Sequence, residues 1–163
     1  MQELDNLINR IGILYAEFVK FQKTESCPVS PNDHIIGPIG EWRAIQIIKN
    51  DFCLDASRVS ISPKDPDDLM LSYNGEIKYI SVKTTTEHSK TGLSGIFHTD
   101  KGKWDWLIAV RLNEDLTYKE HFWLSKKDCY TLFRTKKGKA KQFKWSTAYN
   151  SPSKKFRPDW FQD

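Results

Sequence analysis

The stretch DLMLSYNGEIKYISVK, residues 68–83, leaves the chain little choice of local fold. Asn74-Gly75 separates two short apolar runs, and this dipeptide is the strongest local signal for a two-residue type I′ hairpin, whose central residues both need positive φ. Such a turn sets the register: Tyr73 faces Glu76, Leu71 faces Lys78, Leu69 faces Ile80 and Asp68 faces Ser81. Side chains alternate along each strand. One face therefore carries Leu69, Leu71, Tyr73, Ile80 and Val82, and the other carries Asp68, Met70, Ile77, Tyr79, Ser81 and Lys83. Asp68 and Lys83 are expected on one face at the open end of the hairpin, with Ser81 between them and cross-strand neighbours about 5 Å apart.

A surface ion pair is the plain explanation of that arrangement, and it is worth little. Lys83, however, ends the apolar strand YISVK and precedes three threonines, a setting that a merely solvated lysine does not need. Asp67 is the rival of Asp68. A slip of one residue would bring it to the same face and turn every apolar side chain the wrong way, so Asp67 is read as solvated or capping. Glu76 falls on the opposite face beside the turn and is set aside.

Around the hairpin the chain reads as a succession of elements. Leu4, Leu7, Ile8, Ile11, Leu14, Tyr15, Phe18 and Phe21 recur at helical spacing, which predicts an amphipathic helix over 4–21. Residues 24–38 carry three prolines and read as a loop. A second helix is expected over Ile39–Asn50 and a short strand around Arg58–Ile61. WDWLIAVRL, 104–112, is a continuous apolar run that suits a buried central strand. HFWLS, 121–125, reads as its antiparallel neighbour across the polar loop NEDLTYKE. Ser125 and Asp128 form a capping box at the start of a helix over 125–133, after which the pattern dissolves into KKGKAKQFK. The expected fold is α/β, a mixed central sheet flanked by helices. It forms a single domain of 163 residues: an N-terminal helix and loop (1–34), a core (35–133) and a basic C-terminal segment (134–163).

Charge adds a partner class. The net charge of +4 hides an asymmetry: residues 126–163 hold eleven Lys/Arg against three acids, while the remainder is acidic. A basic segment that includes Lys136, Lys137, Lys139 and Lys141, interleaved with Phe143, Trp145, Tyr149, Phe156 and Trp160, suits a polyanion such as nucleic acid. A solvated face, with the aromatic residues packed on the domain, is the competing reading. No apolar run approaches the roughly 20 residues of a bilayer span. The polar start MQELDNLINR is unlike a secretory signal. Cys27, Cys53 and Cys129 are odd in number and far apart, which speaks against a disulfide framework or structural zinc and for a reducing cytoplasm. The four histidines show no metal-ligand spacing and read as loop or surface residues, although His88 lies near Lys83. No phosphate-binding GxxxxGK[ST] loop occurs. Gly37 and Gly40 are read as backbone freedom at a helix entry.

An aspartate, a hairpin and then a hydrophobic strand ending in x-Val-Lys-Thr resembles the PD-(D/E)XK nuclease superfamily, the restriction-endonuclease-like fold. Glu41, in a Gly-x-x-Gly-Glu helix start, is similar to the glutamate that often completes that family's site. WDWLIAV is similar to its central strand. The resemblance covers roughly residues 35–125, and its specificity lies in the ordered set Glu41, Asp68, Lys83 and a buried strand. The departure is Ser81, which stands where the family carries a metal-binding carboxylate. A hydroxyl is a poor ligand for a hard cation. Three outcomes stay open: a glutamate from another element (Glu41 first, Glu87 second) replaces the missing ligand, the site works with one carboxylate fewer, or the fold only binds.

The resemblance implies metal-dependent hydrolysis of DNA phosphodiesters by an endonuclease using Mg²⁺ or Mn²⁺. Asp68 and Glu41 are the implied metal ligands, with the Val82 main-chain carbonyl as a third oxygen. Lys83 is implied to orient the attacking water and stabilise charge on the phosphate. Ser81 is expected to hold a water of the cation, and Thr84 and Thr85 to contact phosphate oxygens, unless they are simply strand formers. The implied context is a homodimer, or a subunit of a larger restriction or antiphage defence assembly. Two other classes compete: a catalytically inactive binding module, and a structural subunit docking through the 4–21 helix, which would show an exposed apolar stripe there.

Overall fold

The computed structural model describes residues 2–22, 36–52, 54, 58–62, 68–87, 89, 93–96, 103–133 and 142–159. The fold is α/β. Its centre is a mixed five-stranded sheet of order β1-β2-β3-β5-β6: β1 (Val59–Ile61), β2 (Leu69–Tyr73), β3 (Glu76–Thr86), β5 (Trp106–Leu112) and β6 (Tyr118–Ser125). Helices α1 (Gln2–Gln22), α2 (Ile36–Asp51), α3 (Lys126–Phe133) and α4 (Trp145–Tyr149) flank it. β4 (Leu93–Ile96) and β7 (Gln142–Lys144) pair in a separate two-stranded sheet.

The turn chemistry does what the residues predict. Asn74 and Gly75 have φ of 48° and 78°, the positive pair that a type I′ turn requires. The register follows, with Tyr73 opposite Glu76, Leu71 opposite Lys78 and Leu69 opposite Ile80. β3 is paired on both sides. It runs antiparallel to β2 and parallel to β5, with Lys83 opposite Ala109. β6 is antiparallel to β5, as the two apolar runs suggest.

The sheet separates two cores. On one face Leu69, Leu71, Ile80, Val82, Ile108 and Val110 pack with Ile39, Ala44, Ile45 and Ile48 of α2 and with Ile8 of α1. On the other, Leu107, Ala109, Phe122 and Leu124 pack with Cys129 and Phe133 of α3 and with Phe143, Trp145 and Ala148. Two apolar faces covered by separate layers are the reason β5 reads as an unbroken hydrophobic run.

Two element boundaries are corrected. Helix α2 begins at Ile36, inside the segment read as loop, because Pro38 falls in its first turn, where a missing N–H costs nothing. β6 begins at Tyr118, within the stretch read as a polar loop; Tyr118 and Lys119 are exposed there, so no apolar pattern marks the strand's first turn of pairing. β4, β7 and α4 were not legible, since segments of three to five residues are too short to display a period. Of the two readings of the C-terminal aromatic residues, packing on the domain holds for Phe143 and Trp145, since Phe143 and Ala148 are fully buried and Trp145 nearly so. The expected α3 cap is present. Ser125 Oγ accepts from the Asp128 backbone N–H at 3.1 Å and donates to the Asp128 carboxylate at 2.5 Å. Among the described residues, no helix is long and apolar enough to cross a membrane.

Candidate active site at the open end of the hairpin

Asp68 is the residue just before β2, and its backbone N–H donates to the Ile80 carbonyl at 3.2 Å, one step beyond the last ladder pair. That position aims its carboxylate at β3 just beyond the last β2–β3 ladder pair. There Oδ2 accepts two hydrogen bonds, from Ser81 Oγ at 2.9 Å and from the Val82 backbone N–H at 2.6 Å. Bonds to a charged acceptor stabilise by about 1.5–3 kcal/mol each, so the pair holds the carboxylate in one orientation. Ser81 itself is buried, at 3% exposure. Its hydroxyl proton goes to Asp68, and its oxygen keeps acceptor capacity.

Val82 contributes both its side chain and its backbone. Its side chain belongs to the α2-side core, and its N–H goes to Asp68. The N–H and C=O of one strand residue point to the same side, so the Val82 carbonyl is aimed at the edge that Asp68 occupies.

Glu41 comes from α2, and a close approach brings it there. A β-carbon on Gly40 would lie 1.7 Å from Thr84 Oγ1 and 2.6 Å from Thr84 Cβ, so only glycine lets α2 settle this deeply on β3. The next residue, Glu41, is half-buried. Burial first, and the negative charge of Asp68 second, raise its pKa above 4.5, while the positive charge of Lys83 pulls it the other way. The carboxyl of Glu41 is thus within electrostatic reach of both Asp68 and Lys83. Lys83 is partly buried on β3 and also acts on the Cys129 thiol on the α3 side.

The other candidates fall elsewhere. Glu87 accepts a hydrogen bond from Lys119 and lies near Arg111; the Lys119 bond lowers its pKa. Thr84 is packed under Gly40. Thr85 is buried, its hydroxyl 3.5 Å from the Thr86 carbonyl. Thr84 is partly and Thr85 fully buried in the strand. Asp67, His88, Lys136, Lys137, Lys139 and Lys141 lie outside the described residues.

The C-terminal aromatic residues divide into two groups. Phe143 and Trp145 are core, whereas Tyr149 is 39% and Phe156 77% exposed. Lys154 Nζ lies 3.7 Å from the Tyr149 ring centroid and 5.9 Å from that of Phe156. His121 also departs from the reading as a loop or surface residue. It sits half-buried on β6, its Nδ1 2.9 Å from the Tyr118 hydroxyl and its Nε2 3.2 Å from the Asp51 carboxylate. No sequence spacing links these three, because strand pairing and the end of α2 bring them together.

Among the described residues there is no group of three or more His, Cys, Asp or Glu that could hold a metal ion. Among the described residues the acidic donors at the hairpin are Asp68 and Glu41. No protein-family model matches the chain, and a search of curated proteins returns no match.

Proposed function

We propose that this protein hydrolyses phosphodiester bonds of DNA with the help of a divalent cation, using a core of the restriction-endonuclease-like kind. The observation that carries this reading is electrostatic. Asp68, just before β2, and Lys83 of β3 both act on the carboxyl of Glu41 of α2, so three separate elements converge there. Two acids and a lysine drawn together at a strand edge make poor sense as packing and good sense as a site for a phosphate and a cation.

The donors suit a hard cation. Mg²⁺ is commonly held by one or two carboxylates and completes its shell with water and substrate phosphate. Asp68, Glu41 and the Val82 carbonyl offer all-oxygen ligation of that kind. When bound, the cation would supply an acidified water and neutralise phosphate charge. The residues of the chain do the rest. Ser81 and the Val82 N–H hold Asp68 in a single orientation. Lys83 presents an ammonium on the same side as Ser81, one strand step beyond it, to a phosphate oxygen or to the attacking water. Burial and the negative charge of Asp68 both raise the Glu41 pKa, so a cation between the two carboxylates would relieve a real electrostatic cost.

The test is cleavage of supercoiled plasmid and of short single- and double-stranded DNA with Mg²⁺, Mn²⁺ or EDTA. Wild type is compared with Lys83→Ala and Asp68→Asn, and DNA binding is measured in parallel. Metal-dependent cutting by wild type and its loss in both variants are expected. Binding without cutting, unaltered by either substitution, would replace this reading with that of a catalytically inactive module.

A further inference from the structure

Asp51, His121 and Tyr118 form a second group of titratable side chains, apart from the hairpin. Asp51 closes α2 at the end opposite Glu41, about 15 Å of helix rise away. A bulge builds the group. Tyr118 and His121 are three positions apart on β6, and on a regular strand they would face opposite sides of the sheet. The pairing shifts between them: Arg111 stands opposite Glu120 and Leu112 opposite Tyr118, so Lys119 is the extra residue. Tyr118 thereby joins His121 on the face that carries Val110 and Leu112, the side of α2. The phenol hydroxyl lies 2.9 Å from His121 Nδ1, and the Asp51 carboxylate lies 3.2 Å from Nε2. A carboxylate beside Nε2 favours the hydrogen on that nitrogen and leaves Nδ1 to accept from the phenol O–H.

A contact that only fastened α2 to β6 would gain by burying the phenol. Instead the His121 side chain is 15% exposed and Tyr118 is 43% exposed. The base is shielded and the hydroxyl opens to solvent. An accessible hydroxyl, a base within hydrogen-bond reach and a third group that orients the base are the parts of an activated nucleophile. We infer that Tyr118 is a nucleophile that accepts an acyl group from an uncharged activated ester, with His121 as its general base and Asp51 positioning the imidazole. In the step, the phenol oxygen bonds to the acyl carbon and the bond from that carbon to the ester oxygen breaks. The phenol proton passes to Nδ1, and the alcohol part of the ester leaves as its anion.

The protonation states agree with these roles. Burial lowers the His121 pKa below 6.5, against the charge of Asp51, so at pH 7 the ring is in its neutral, basic form. Burial first, then Asp51 and Glu120, raise the pKa of Tyr118, so the phenol keeps its proton until His121 takes it during the step. Asp51 of α2 and Glu120 of β6 are the charged groups acting on the pair, and Glu120 is itself 3.5 Å from Arg111 of β5. Acids beside the phenol turn away phosphate-bearing donors and favour an uncharged acyl group. None of this depends on the phosphodiester reading.

Reaction of the full chain with p-nitrophenyl acetate tests the inference, followed by p-nitrophenolate release and by mass spectrometry of the labelled peptide. Acetylation of Tyr118 is expected, with a rate that falls as pH drops through a midpoint below 6.5. His121→Ala should slow it by about a hundredfold and remove that midpoint, and added imidazole should restore part of the rate. Asp51→Asn should move the midpoint lower still, because the charge of Asp51 holds it up. Circular dichroism checks that the variants fold. Acetyl groups on lysines with Tyr118 unlabelled, a Tyr118 rate without a midpoint below 6.5, or a rate that a folded His121→Ala leaves unchanged would each overturn the proposal. The wild-type profile decides by itself if His121→Ala does not fold.

Discussion

Gly40 and Thr84 touch so closely that a single methyl group cannot be fitted between them: the β-carbon of an alanine at 40 would lie 1.7 Å from Thr84 Oγ1. This contact joins α2 to β3 and places Glu41 beside Asp68 and Lys83. Gly40→Ala should therefore lower stability by about 1–3 kcal/mol, the usual cost of overpacking. Thr84→Ala removes two of the three crowding atoms. In a double-mutant cycle read by denaturant unfolding, the two substitutions together should cost less than the sum of the separate costs. Additive losses would mean that the helix does not rest on this contact.

Glu41 makes stability depend on pH in a defined direction. Its pKa is raised on folding, so the folded chain holds a proton that the unfolded chain releases. A raised acid favours the folded state below the unfolded pKa near 4.5, and that contribution is lost as pH rises through the higher folded value. Glu41→Gln should thus have a higher Tm than wild type at pH 7, and the difference should close below pH 4.5. Melting curves across pH 4–8 without divalent cations would check this. A constant offset between the two proteins would contradict it.

Ser81 offers a second handle on the same site. Ser81→Ala deletes a donor to Asp68, at a cost of about 1–3 kcal/mol for a bond to a charged acceptor. Ser81→Asp instead sets a carboxylate against the oxygen that Ser81 now serves, and should destabilise the protein more in EDTA. If the hairpin end binds a cation, Mg²⁺ should raise the Tm of Ser81→Asp more than that of wild type. Differential scanning fluorimetry with and without Mg²⁺ separates the cases, and equal shifts would count against a cation at this position.

The Phe156 ring is 77% exposed, with Lys154 Nζ 5.9 Å from its centroid. Base stacking on an exposed ring contributes about 1–3 kcal/mol. Phe156→Ala should weaken single-stranded DNA binding by roughly tenfold without moving the Tm, since its ring is 77% exposed. Lys154→Ala should reduce the salt dependence of binding by about one phosphate contact. Fluorescence anisotropy at several salt concentrations reads both. Unchanged affinity in both variants would remove this surface from nucleic-acid contact.

Much of the architecture is written in local patterns. Asn74-Gly75 determines a type I′ turn, that turn determines the register, and the register brings Asp68 to Ser81 without reference to the rest of the protein. The β5 run, its β6 neighbour and the Ser125 cap are legible for the same reason, because periodicity and capping act over a few residues. Tertiary structure decided the rest. Whether Glu41 or Glu87 stands near the hairpin depends on how deeply α2 settles on β3, which the Gly40–Thr84 contact sets across 44 residues of chain. The same holds for the division of the C-terminal aromatic residues, with Phe143 and Trp145 buried and Tyr149 and Phe156 exposed. Sequence spacing tells which residues can share a face, but which faces are covered is a matter of packing between distant elements, and packing energy belongs to the assembled fold rather than to any window of the chain.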